Sequence, residues 1–182
     1  MDITAKKPLK ILTFNWHTVY MYLMAKTGHH LEVADWIIMA DGKIGWNYNF
    51  RPVPNNVYLI KEADEAINKI KNNYYDLAVC HAINDIDFLG KYNIPVIEDA
   101  AHALGAYYKG KAIGTISPYT CFSFQAIKHV TTADGGMLCL DNKNKYDEAR
   151  RRRRFGIDRD NSQPSILGEP EWNVTEVGYK YH

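Results

Sequence analysis

YDLAVCHAINDIDFLGKYNIPVIEDAAHALG, residues 75–105, decides how the fold is read. Its opening YDLAVCH (75–81) and its closing IPVIEDA (94–100) are short apolar runs suited to buried strands. DIDFLGKYN between them is long enough for one short helix. Working outward, LKILTF (9–14) is a third strand. TVYMYLMAKTGHHLEVADW places Val19, Tyr22, Leu23 and Ala25 at roughly helical spacing, with Gly28 as a stop and LEVA as the next strand. WNYNFRPVPNNVYLI (46–60) is loop-like, with two prolines and paired asparagines, and ends in another short strand. EADEAINKIKNN (62–73) is an amphipathic helix: Ala63, Ala66, Ile67 and Ile70 form its apolar face, and its acidic start and basic end suit the helix dipole. Strands alternating with helices predict an α/β fold with a mainly parallel sheet and flanking helices. LKILTF, YDLAVCH and IPVIEDA belong to that one sheet.

Composition narrows the class. The chain has 182 residues, 46% of them hydrophobic and 24% charged, which suits a soluble globular protein with a real core. A formal net charge of +1 supplies no field for nucleic acid. Cys80, Cys121 and Cys139 are far apart and odd in number, so neither a zinc site nor a disulfide framework is expected, and reduced thiols point to the cytoplasm. The N-terminal MDITAKKPLKILTF lacks a signal-peptide pattern, and no run approaches the roughly 18–20 apolar residues of a membrane span.

Chemistry is expected where strands end, because ligands of α/β sheets sit at the carboxyl ends. IPVIEDAAHALG brings Glu98, Asp99 and His102 to such an end, with Gly105 closing the segment. TCFSFQAIKH reads as a further strand-like run with Ser123 and Lys128 at its far end. A partly desolvated lysine is a usable amine nucleophile, and a carboxylate, a hydroxyl and an amine on neighbouring strand ends are what pyridoxal phosphate requires. Each residue alone has a plainer reading. Lys128 is then a surface lysine, Asp99 a helix cap, His102 a satisfied half-buried histidine and Gly135-Gly136 a turn. The five arginines from Arg150 to Arg154 read as a solvated helix face with a few inward ion pairs.

Three separated motifs reverse those plain readings. VIEDAAHALGAYYKGKAIGT, FSFQAIKHVTTADGGM and RRRRRFGIDRD…EWNVTEVGYKYH, in that order, closely resemble DegT/StrS-type sugar aminotransferases, a fold-type I family dependent on pyridoxal 5'-phosphate (PLP), over about residues 92–182. The resemblance implies that Lys128 is the Schiff-base lysine, Asp99 the partner of the pyridine nitrogen and Ser123 a phosphate ligand. His102 takes the place near the cofactor's ring oxygen. It further implies a nucleotide-sugar substrate, an amino-acid amino donor and a homodimer. Lys180 stands where the family commonly has Asn.

Residues 1–90 are similar instead to the Rossmann-like N-terminal domain of GT-B-type glycosyltransferases, on LKILTFNWHTVYMYLMAKTGHHLEVADW, WNYNFRPVPNNVYLI and YYDLAVCHAINDIDFLGKYNIP. No Gly-Thr phosphate loop of the aminotransferase kind occurs there, and no stacking ring is identified. The expected organisation is a glycosyltransferase-like half over 1–90 joined to a partial aminotransferase large domain over 91–182, meeting near GKYNIP. The expected function is a keto-sugar aminotransferase, incomplete and at most weakly active alone. The alternatives are a glycosyltransferase-related binding domain, with Asn15, Trp16 and His17 after the first strand, or a non-catalytic fusion remnant. The segment 156–182 is expected to be loop-like and poorly packed.

Overall fold

The computed structural model describes residues 7–36, 45–164, 168 and 170–179. Lys180 and the end of the GYKYH motif lie outside the described residues. The chain divides into two compact units, Met1–Ala100 and Ala101–His182.

The first unit alternates as its sequence predicts: β1 (Lys10–Phe14), α1 (Thr18–Ala25), β2 (His30–Ala34), β3 (Val57–Ile60), α2 (Ala63–Lys71), β4 (Leu77–Cys80), α3 (Ile83–Leu89) and β5 (Val96–Asp99). The strands pair in the order β3-β2-β1-β4-β5, every pair parallel, so LKILTF, YDLAVCH and IPVIEDA do share one sheet. The sheet is covered on both faces, so successive residues of a strand enter different cores. Leu12, Phe14, Ala78 and Cys80 join Ala66 and Ile70 of α2 and Leu89 of α3 in one cluster. Ile11, Leu31, Val33 and Val79 join Met21 and Ala25 of α1 in the other. In α2, Asp64 and Glu65 occupy the first turn and Lys69 and Lys71 the last, so its charges oppose the macrodipole. Gly28 follows α1 in the left-handed region, at φ 79°, which is where a stop glycine belongs.

One carboxylate sits among the apolar residues. Glu32 of β2 is 2% exposed. It accepts from Lys69 Nζ at 2.8 Å and Tyr75 Oη at 2.7 Å, and His30 Nε2 lies 3.4 Å away. Burial alone pushes its carboxyl up, but these donors together outweigh burial and hold it below the usual carboxylate value. Against the opposing effect of its own burial, Lys69 is raised by Glu32 and by Glu65, which it also meets at 2.8 Å.

The second unit is built from hairpins: β6 (Tyr107–Tyr108) with β7 (Lys111–Ala112), β8 (Tyr119–Ser123) with β9 (Gly136–Leu140), and β10 (Ile157–Pro164) with β11 (Pro170–Val174), all antiparallel. Helix α4 (Lys143–Arg152) starts on Asn142, whose side chain accepts from Asn144 and Lys145 N–H. None of its residues is buried, so it is the solvated face expected of the arginine run. Its ion pairs range from the exposed Arg150–Asp160 pair to the half-buried Arg151–Glu176 pair. Arg150 meets Asp160 at 2.5 Å, and Arg151 and Arg152 both grip Glu176, at 3.0 and 2.6 Å. The expectation of a loop after residue 156 is corrected in part, because β10 and β11 form there. Trp172 and Val174 are exposed and Asp158 to Ser162 are polar, so no apolar alternation marked the strands; backbone pairing makes them. Gly156 has φ 72°, and a Cβ there would overlap the Glu176 carbonyl.

Two outcomes follow for stability. Glu32→Gln removes a charge from a donor-filled site and is expected to cost roughly 2 kcal/mol in urea unfolding. In the parent, Glu32's contribution is fully present above its unfolded carboxylate pKa and is lost as pH falls through the lowered folded value, so acid titration of the unfolding midpoint should show a limb that the variant lacks. Gly156→Ala, which meets both the positive φ and the Glu176 carbonyl, should lower the thermal midpoint, whereas Gly110→Ala, with open space around it, should lower it less.

Candidate functional site

Parallel pairing brings the carboxyl ends of β1, β4 and β5 together. Thr13 pairs with Val79, and Cys80 with Glu98, so His81 follows β4 beside the last residue of β5, Asp99. His81 Nδ1 lies 3.2 Å from Asp99 Oδ2, and its Nε2 lies 3.1 Å from Thr13 Oγ1. The imidazole side chain is 2% exposed, while that of Asp99 is 31% exposed. An ionised carboxylate only accepts, so Nδ1 carries the proton and donates it. The Thr13 hydroxyl also reaches the Val79 carbonyl, at 3.3 Å. It lies 3.8 Å from Met21 Sδ as well, so one hydroxyl proton is shared among three acceptors. The Tyr20 ring stands edge-on to the imidazole, with centroids 5.2 Å apart. Behind it, Asp85 Oδ2 accepts from the N–H groups of His81 and Ala82, each at 2.9 Å, and so fixes the backbone that carries the ring.

Asp99 therefore ends a strand, as expected, and is oriented by a histidine that the motif reading did not single out. The signal was present: His81 closes YDLAVCH, a strand that neighbours IPVIEDA, and strand ends are where ligands gather. Thr13 could not be found this way, because its partner is 68 residues distant.

In the second unit, Lys128 Nζ and His102 Nε2 are 2.7 Å apart. An ammonium has donors only, so Nε2 is the acceptor and the ring's proton sits on Nδ1. Lys128 is half-buried and His102 exposed. The strand carrying Ser123 ends at that residue, so Lys128 is not on it, as the strand-like reading of TCFSFQAIKH supposed. Local bonds replace the ladder. Ser123 Oγ accepts from Gln125 N–H at 3.3 Å, Gln125 Oε1 from Ile127 N–H at 3.1 Å, and the Gln125 carbonyl from Lys128 N–H at 2.9 Å. Thr131 Oγ1 and Thr132 N–H both close onto the Phe124 carbonyl, at 3.1 and 2.9 Å. Gly136 lies so close to the Phe122 carbonyl that a Cβ would sit 2.8 Å from it, which explains the glycine in plain steric terms. His129 Nε2 meets the Leu104 carbonyl at 3.0 Å and ties the lysine turn to the segment after His102.

In the first unit a carboxylate holds one oxygen against a buried imidazole; in the second a hydroxyl ends a strand and an amine pairs with an imidazole. The particular family follows from comparison. The chain belongs to the DegT/DnrJ/EryC1/StrS aminotransferase family, whose model matches residues 77–182. It is 37% identical over 164 residues to the uncharacterized protein MJ1066 of Methanocaldococcus jannaschii, an alignment covering 88% of this chain and 41% of that one. In fold it is similar to the sugar aminotransferase CalS13 of Micromonospora echinospora (TM-score 0.58, 22% identity, 94% of this chain and 44% of that one). It is also similar to PseC of Helicobacter pylori, an aminotransferase of pseudoaminic acid biosynthesis (TM-score 0.57, 19% identity, 99% and 44%). The chain thus spans under half the length of these relatives. Among the described residues, no group of three or more His, Cys, Asp or Glu could hold a metal, and no helix is long and apolar enough to cross a membrane.

His81→Leu should destabilise the first unit by about 1–3 kcal/mol in urea unfolding, because it strips one hydrogen bond from Asp99 and another from buried Thr13. His81→Asn, which can still donate towards Asp99, should recover part of that loss.

Proposed function

We propose that the chain carries the cofactor-holding part of a PLP-dependent aminotransferase that acts on a keto sugar linked to a nucleotide, with an amino acid as amino donor. The observation that carries this reading is the Lys128–His102 pair, 2.7 Å apart inside the segment that the family model matches. The residues fit the cofactor in kind. Lys128 would attach it covalently, Ser123 would donate to its phosphate, Asp99 would face its ring nitrogen, and His102 would lie near its ring oxygen. PLP supplies an electron sink for the pair released at the substrate's amine-bearing carbon.

This chain's residues would supply the rest. His102 Nε2 takes a proton from the Lys128 ammonium, leaving a neutral amine that can act as nucleophile and then as base. Asp99 must stay ionised to hold a proton on the ring nitrogen, and the His81 N–H favours that form. Ser123 gives up its weak 3.3 Å contact with Gln125 N–H only if a better acceptor arrives, and a phosphate is one. A cytoplasmic homodimer is the setting we propose for the whole protein.

A second reading has one observation in its favour. The order β3-β2-β1-β4-β5 of the first unit is that of a nucleotide-binding Rossmann half, which suits a glycosyltransferase-like origin for residues 1–90. A non-catalytic fusion remnant is the outcome if neither half binds its ligand.

PLP added to the purified chain should produce a visible absorbance band, and borohydride reduction followed by peptide mass analysis should place the label on Lys128. Lys128→Ala should abolish both. His102→Ala should slow attachment on the order of tenfold or more, as expected for loss of a proton acceptor. Labelling spread over exposed lysines, unchanged by Lys128→Ala, would overturn the cofactor reading.

A further inference from the structure

The strand order of the first unit reverses between β1 and β4, and in open α/β sheets that switch point opens a crevice beyond the carboxyl ends. A cavity of about 290 Å³ lies there. Phe14 and Trp16 reach it from the end of β1, Trp36 from just beyond β2, and Asn84, Asp85 and Phe88 from α3. Phe88 is its central ring, 5.9 Å from Phe14 edge-on and 6.1 Å from Trp36. None of the described residues lining it is basic.

Its polar end is a carboxylate. Asp85 is 4% exposed. Oδ2 is occupied by two backbone N–H groups, whereas Oδ1 has no hydrogen-bond partner among the described residues. Burial raises the Asp85 carboxyl in spite of those two donors, so the acid is under-compensated where it stands. Trp16, at the mouth, leaves 45% of its surface in water. Four of the seven described lining residues are aromatic, and the one charged group among them is the Asp85 carboxylate, a composition that attracts cations.

From this charge complementarity we propose that the cavity binds a small organic cation, an alkylammonium head group held against the rings and Asp85 Oδ1. Its volume, at the low end of the range of roughly 300–1,000 Å³ for small-molecule sites, suits one head group. An anionic ligand would meet Asp85 with no counter-charge. A neutral sugar ring could stack on Trp16 but would gain nothing from the acid. This site stands on the first unit alone and does not require that PLP bind, although Asp85 also fixes the backbone under His81.

The test is a titration of the full chain with choline and with its neutral carbon isostere, dimethylbutanol, followed through the indole N–H resonances of Trp16 and Trp36. Choline should saturate both shifts and bind about tenfold tighter than the isostere. Asp85→Asn should erase that difference. Because Asp85 also caps the His81–Ala82 backbone, Trp16→Ala serves as the second variant; it should weaken choline about tenfold with an unchanged thermal midpoint. Equal binding of choline and the isostere, tighter binding of glucose, or indole shifts that never saturate would each overturn the proposal.

Discussion

The insertion of β4 between β1 and β5 is the constraint on which the first unit depends. With parallel pairing on both sides, Val79 lies opposite Thr13 on one flank and Ile97 on the other. Alternate residues of β4 enter opposite cores, which commits Ala78 and Cys80 to the α2–α3 side and Val79 to the α1 side. One step past the strand, the same pairing sets His81 between Thr13 and Asp99. A register slip of one residue would exchange the two cores and separate all three groups.

Two buried carboxylates inside this frame are met by donors from other elements. Glu32 of β2 is met by Lys69 of α2 and by Tyr75 from the approach to β4. Asn15 donates to Asp35 at 2.7 Å, and Asp35 is in turn met by Lys61. Breaking such a buried pair costs more than the pair contributes, because the surviving partner stays desolvated. The chemistry proposed for Asp99 uses the same device, since a buried imidazole holds one carboxylate oxygen while about a third of the side chain stays exposed.

In the second unit, the backbone is shaped mainly by side chains that bind it locally. Ser123, Gln125, Thr131 and Thr132 end β8 and fold the chain into the turn that presents Lys128. Glu176 spans two arginines of α4 beside the Gly156 crossing. These devices use short polar residues and glycine rather than a large core, and apolar periodicity does not register them.

What the sequence determined by itself is the set of elements in the first unit, together with the residues of the motif. Period-2 apolar runs, the charged ends of α2 and the glycine after α1 act over a few residues, so they are legible without a fold. Asp99 at a strand end also followed from motif and spacing, whereas the pairing of Lys128 with His102 did not. Only the tertiary structure decided which strands are neighbours, and with that the contacts of His81 with Thr13 and Asp99 and the gathering of Phe14, Trp16, Trp36 and Phe88 around Asp85. The end of β8 at Ser123 and the β10–β11 hairpin also lay beyond the pattern, because hydrogen bonds of polar side chains and bare backbone pairing leave no hydrophobic period. The physical reason is common to all of them. A local pattern fixes which side of an element is buried, whereas strand order and loop closure decide what that side meets.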